Sequence, residues 1–335
     1  MTARNLRLAA VLLVTLASLA WALWGIEIDK VADAVRAVRW PLVVPVVAAI
    51  VVGFLARVAR FQLLLGDARP PHRRQIVVCA IGFLAINVVP LRLGELVRPF
   101  MLLEDDVTWG RSIGAVVMER VVDLCMLLAM LSLVSFAVDL PSTIVVRGID
   151  VLAAGQQAVG VALAVLIAGL LGVVVGGEPV LGALAHLPVL GPRVAAFGGS
   201  FRDGLAHLFR RPLEAAAVFA LGALVWASTV AGAYSLLLAM PGLPAGPDVA
   251  LAVTAVTVAG TVAVPTPGFF GPFEVFCKAT LVLWSVEPSV AAAFAVLWHA
   301  LIFGFHVLSG AALLGREGLS LGALVRGSRE AVTRD

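Results

Sequence analysis

Long apolar runs restrict this chain more than any other feature. Residues 42–65, 213–240 and 291–314 each supply roughly the 20 residues needed to cross the hydrocarbon core of a bilayer, with no period-two alternation. A backbone in lipid has no water to bond to, so spanning segments are helices or closed barrels, and the missing alternation leaves helices. With 61% hydrophobic and 13% charged residues, the chain is also more apolar than a water-soluble domain. The fold class that follows is an all-α polytopic membrane protein.

Six full transmembrane helices are predicted, at residues 6–24, 42–65, 112–138, 158–177, 213–240 and 291–314. The first follows Arg4 and Arg7 and reads as a signal anchor, because it is long enough to span and no cleavage region precedes Glu27. Two stretches read as amphipathic helices lying on the membrane. Residues 26–40 set Val31, Val35 and Val38 against Asp29, Lys30, Asp33, Arg36 and Arg39; residues 193–211 set Val194, Phe197, Phe201, Leu205 and Leu208 against Arg202, Arg210 and Arg211.

Two apolar segments are too short to cross. Residues 76–89 stop at Asn87 and Pro90, with Arg92, Gly94, Glu95 and Arg98 directly after. Residues 249–264 run into Pro265, Pro267, Gly268, Gly271 and Pro272, and residues 273–284 form a second short helix. Each break reads as the tip of a re-entrant helical hairpin.

The net charge of +3 does not point to nucleic acid, since the cations sit in short loops between apolar runs, where orientation signals belong. Arg57 and Arg60 near the end of the second span, followed by Arg69, Arg73 and Arg74, mark that end as cytoplasmic. The loops at 66–75 and 178–212 and the carboxyl tail are net positive and predicted inside, while 27–40, 139–157 and 241–248 are predicted outside. Both termini are then cytoplasmic. The order of span, amphipathic helix, span, hairpin and final span occurs twice. The expectation is one membrane domain over residues 1–315, built from two inverted-topology repeats at 1–139 and 158–315, with a flexible tail at 316–335. Inverted repeats with broken helices at the midplane are typical of transporters, so the two tips are expected to share a midplane site.

Asn87, Pro90, Arg92, Gly94, Glu95 and Arg98, then Glu119, Arg120 and Asp123, then Pro267, Gly268, Gly271, Phe273 and Glu274 follow one another in an order that resembles the lysylphosphatidylglycerol synthase transmembrane-region family, the flippase-like membrane domains. The resemblance covers most of the chain and implies a lipid flippase or lipid-handling membrane domain with two re-entrant helices. It also implies a plasma (inner) membrane of bacterial type. The chain ends soon after the last span, so the soluble synthase domain is not expected. Where many relatives carry an Arg in the last span this sequence has His299, which leaves the charge of the substrate open.

Charged side chains at membrane depth cost about 2.5–3.5 kcal/mol even on lenient scales, so they usually face a cavity and a partner. Arg92, Glu95 and Arg98 are three apart and form one stripe if the chain beyond Pro90 is helical, and a lipid phosphate suits the planar fork of Arg. Glu95 could orient these cations, meet a cationic headgroup or carry a proton; the plainer alternative is an Arg/Glu pair that pins the hairpin. Glu119 and Asp123 share a face, while Arg120 points about 100° away. Arg120 is therefore expected to face the cavity and Glu119 to brace the first hairpin, or the reverse. Glu274 and Lys278 stand at i, i+4 in the favourable order, and Gly268 and Gly271 permit close backbone approach at the start of a half-helix. His299 reads as a core hydrogen-bonding residue or as a titrating replacement for a cation.

No phosphate-binding loop, HExxH or nucleophile elbow is present, so neither enzyme chemistry nor a cofactor is expected. Cys79, Cys125 and Cys277 lie singly in apolar runs and read as small core residues. The reading is a membrane lipid translocase moving a polar, phosphate-bearing headgroup, with phospholipid or prenyl-linked lipid as partner. The alternatives are a membrane-embedded headgroup transferase, its non-catalytic partner beside a separately encoded lipid-modifying enzyme, or a small-molecule secondary transporter.

Overall fold

In the computed structural model, the residues described are 27–89, 94–137, 145–146, 149–150, scattered positions among 153–202, and 211–264 and 266–334. The first span at 6–24, Arg92 and nearly all of the second amphipathic stretch lie outside them, and the 158–177 span is described only at isolated positions. The described chain is helical apart from a two-residue ladder pairing Val145–Val146 with Ile149–Asp150.

In chain order the helices are α1 (Ile28–Arg36), α2 (Val43–Leu64), α3 (His72–Val88), α4 (Val97–Leu102), α5 (Trp109–Ala137), α6 (Pro212–Ala239), α7 (Pro247–Ala263), α8 (Pro272–Leu283), α9 (Pro288–Arg316) and α10 (Leu321–Arg334). Proline opens four of them, α6 to α9, at the first helical position, where its missing N–H leaves no bond unmade and its fixed φ is already helical. Among the described residues, Trp40–Leu64, α6 and α9 are long and apolar enough to cross a membrane. α5 is as long as α9, 29 residues, but carries Arg111, Glu119, Arg120 and Asp123 in its first half. Large apolar side chains such as Val44, Phe136, Leu213 and Leu308 are exposed, as expected where lipid replaces water.

The chain divides into two compact units, each drawing on both halves of the sequence. The first holds residues 1–54, 126–160 and 225–305. Its core gathers Val46, Leu236, Leu237, Val253, Phe294 and Trp298. α1 lays Val31, Ala34 and Val35 on this core while its charged residues stay outside, and the Arg39 N–H donates to the Ala239 carbonyl at 2.8 Å. α7 and α8 form the second hairpin. Gly260 lies under the Phe276 ring, where a Cβ would collide, so the two legs run back along each other at close range.

The second unit holds residues 55–125, 161–224 and 306–335. α3, with 17 residues, is about 25 Å long, shorter than a hydrocarbon core of about 30 Å. It ends at Val88. Gly94 then lies against the backbone of Ala85 and Ile86, so the chain has already folded back before α4 begins. The tail expected to be flexible is instead the helix α10. Leu324 and Ser328 are buried and Gly327 sits against the Phe100 ring of α4. Its Leu321, Leu324, Val325 and Ser328 fall on one face opposite Arg326, an amphipathic pattern hidden by the short length of the segment.

Candidate functional site

Within the second unit, α5 presents Glu119 and Asp123 from one face, one turn apart. Arg60 of α2 donates to both, Nη2 to Glu119 Oε1 at 3.1 Å and Nη1 to Asp123 Oδ1 at 2.8 Å. Arg98 of α4 donates through Nη1 to Glu119 Oε2 at 2.8 Å. Arg60, Arg98 and Glu119 are fully buried. Arg98 lies over the Phe61 ring at 4.7 Å and the Phe83 ring at 5.4 Å, a setting that suits a weakly hydrated planar cation. Gly82 makes room for its methylenes, and a Cβ there would overlap them.

The expected brace between Glu119 and the first hairpin is this Arg98 contact. Arg120 sits at the edge of the network: its side chain is 36% exposed and approaches Glu119 and Asp123 at 3.8 and 3.7 Å. Glu95 is half-buried in the turn before α4 and adds an attractive field at Arg120. Asn87 does not reach out from the break; its amide donates to the Phe83 carbonyl of its own helix at 2.8 Å. Arg57, Arg60, Arg98 and Arg120 all act electrostatically on Glu119, so among the described residues four guanidinium groups face the two carboxylates of α5. Cation donors are left over. Arg98 Nε and Nη2, Arg60 Nε and Arg120 Nε are buried with no hydrogen-bond partner among the described residues.

Arg60 is the site residue that sequence reasoning misses: near the end of the second span it stands out only as an orientation signal, and the structure makes it a fully buried partner of two acids. The signal was available in its position, inside the apolar run 42–65, where an unpaired charge would be costly.

The first unit holds the other constellation. Gly268, Phe269 and Gly271 all have positive φ, at 59°, 62° and 91°, so the tip is a tight left-handed turn that glycine permits at two of its positions. Pro267 opens its 3-10 turn, Pro272 starts α8, and Thr266 Oγ1 donates to the Phe270 carbonyl at 2.8 Å. Glu274 turns back to the start of α8, where Oε2 accepts the Gly271 N–H at 2.8 Å. Its Oε1 lies 2.5 Å from His299 Nδ1, and His299 Nε2 lies 2.8 Å from the Gly268 carbonyl. The His299 ring stacks on Phe273 at 4.4 Å. Lys278, one turn beyond Glu274, is half-buried. Among the described residues no group of three His, Cys, Asp or Glu side chains could hold a metal ion.

The family model for the lysylphosphatidylglycerol synthase TM region matches residues 7–310. The chain belongs to that family. It is a multi-pass membrane protein of the lysylphosphatidylglycerol synthase TM-region type, and both constellations lie within the matched residues. No curated protein and no solved structure matches the chain.

Proposed function

We propose that this chain is a lipid translocase, flippase- or scramblase-like, of a bacterial-type inner membrane. It moves a phosphate-bearing headgroup between leaflets while the lipid tails remain in the bilayer. The observation that carries this reading is Arg98: fully buried between two aromatic rings, held by Glu119 through one nitrogen, with Nε and Nη2 unpartnered among the described residues. A buried guanidinium with spare N–H groups is an anion receptor, because each unmet donor carries a desolvation penalty that a phosphate oxygen would remove. The more exposed Arg120 supplies a first contact from which a headgroup passes to the inner arginines.

Six crossings, two re-entrant hairpins, inverted repeats at 1–139 and 158–315 and cytoplasmic termini belong to this reading. The shortness of α3, α7 and α8 supports it. The test is the purified chain in liposomes containing headgroup-labelled phosphatidylglycerol or phosphatidylethanolamine, with a membrane-impermeant quencher added outside. Faster loss of protected signal than in protein-free vesicles is expected. Rates no faster than in protein-free vesicles for every lipid class would end the proposal.

A further inference from the structure

The tip of the second hairpin holds a coupled acid and base that headgroup binding does not use. The Gly268 carbonyl can only accept, so His299 Nε2, 2.8 Å away, carries a hydrogen. Nδ1 faces Glu274 Oε1 at 2.5 Å, and hydrogen bonds made at both ring nitrogens together require a second hydrogen, between Nδ1 and Oε1. The pair is an imidazolium beside a carboxylate, or an imidazole beside a carboxylic acid. In either form it contains one proton more than imidazole beside carboxylate. That proton has a mechanical role, since the pair joins the Gly268 carbonyl to the Gly271 N–H, the two glycines of the left-handed turn.

Among the described residues, the surroundings of the pair are largely aromatic. Glu274 and His299 are 5% and 3% exposed, and Phe273, Phe270 and Phe303 surround the imidazole with rings at 4.4, 4.8 and 6.1 Å. Among the described residues, the other titratable groups on the packed elements of this unit are Cys277 and Lys278 of α8, Asp248 at the start of α7, Tyr234 of α6, Asp29, Lys30, Asp33 and Arg36 of α1 and Glu287 just before α9; between residues 288 and 305, α9 offers none besides His299.

We infer that Glu274 and His299 form a proton-binding site whose loading closes the tip of the second hairpin, and that this proton is the ion coupled to headgroup movement. The coupling rests on the proposed translocation; the proton site does not. Loading moves one proton from water into the shared position, and no electrons change hands. Release returns it to water and leaves the imidazole one hydrogen for two acceptors, so His299 keeps either the Glu274 carboxylate or the Gly268 carbonyl and the link between Gly268 and Gly271 opens. Glu274→Gln mimics the loaded state without a proton: its carbonyl accepts the Gly271 N–H and its NH2 donates to Nδ1 of a neutral His299.

The decisive measurement is a potentiometric titration of the full chain in detergent from about pH 5 to about pH 9, wild type against Glu274→Gln. Wild type is expected to take up about one proton per chain more than the variant, and no difference overturns the site. Reconstitution with labelled phosphatidylglycerol then tests the coupling. The wild-type rate is expected to change about tenfold per pH unit on one side of the transition, and the Glu274→Gln rate to be flat. A flat wild-type rate with lipid still moving overturns the coupling. A one-proton difference with no lipid movement upholds the site and removes the translocation reading instead.

Discussion

Arg98 and Glu119 form a fully buried ion pair, Nη1 to Oε2 at 2.8 Å, that ties the return leg of the first hairpin to α5. The same carboxylate accepts from Arg60 of α2, so one acid joins three elements of the second unit. Its value lies less in attraction than in the penalty of removing it, since two buried cations would lose their shared counter-charge.

Glu119→Gln is therefore expected to destabilise the detergent-solubilised protein by about 3–5 kcal/mol, read from its denaturation midpoint. Asp123→Asn should cost less, because Asp123 accepts a hydrogen bond only from Arg60 among the described residues and its side chain is 11% exposed. Equal stability of Glu119→Gln and wild type would show that this pair does not hold the hairpin.

Arg120 separates binding from scaffolding. Its approaches to Glu119 and Asp123, at 3.8 and 3.7 Å, are long, and a partly exposed pair contributes about 0–1 kcal/mol. Arg120→Ala is expected to keep the wild-type unfolding midpoint within that margin while lipid redistribution in liposomes falls by tenfold or more, taking one lost charge-assisted phosphate contact as about 1.5–3 kcal/mol. Glu95→Gln, in the field of Arg120, should also slow redistribution without unfolding the protein. Full rates in both variants would relegate these residues to packing.

Two glycines of the first unit make opposite predictions. Gly260→Ala places a methyl into the Phe276 ring, and overpacking of this kind costs about 1–3 kcal/mol. Gly304 in α9 has open space where its Cβ would go, so Gly304→Ala gains about 0.8–1 kcal/mol from helix propensity alone. Thermal unfolding of both variants beside wild type checks the pair, and a neutral Gly260→Ala would show that α7 and α8 are not in close contact.

Local chemistry was legible in the sequence, and partners across the fold were not. Proline and glycine marked both breaks, because they change what the backbone can do at their own positions, and α3, α7 and α8 end and begin within a few residues of the expected points. The shared face of Glu119 and Asp123 followed from helical spacing. What occupies that face did not, since Arg60 lies 59 positions from Glu119 and its phase on α2 says nothing of α5. The second hairpin shows the same limit. Glu274 was paired by spacing with Lys278, yet as the third residue of α8 its side chain points back toward the helix start, where it meets the Gly271 N–H and His299.

The start of α9 offers a test with a defined pH sign. Glu287 accepts the backbone N–H groups of Ser289 and Val290 at 3.0 and 3.1 Å and the Ser289 hydroxyl at 3.1 Å, with Lys30 at 3.8 Å. Partial desolvation pushes its carboxyl upward, but the Val290 and Ser289 bonds and the Lys30 charge together outweigh this and hold it below its ordinary value. A carboxylate depressed in the folded state stabilises fully above its unfolded value, about 4.3, and loses that contribution as pH falls through the folded one. Glu287→Ala is accordingly expected to cost about 1 kcal/mol at neutral pH, the usual worth of a helix N-cap. The gap in Tm between wild type and variant should close below about pH 4. A gap that stays constant into acid would assign the loss to packing and not to the charged cap.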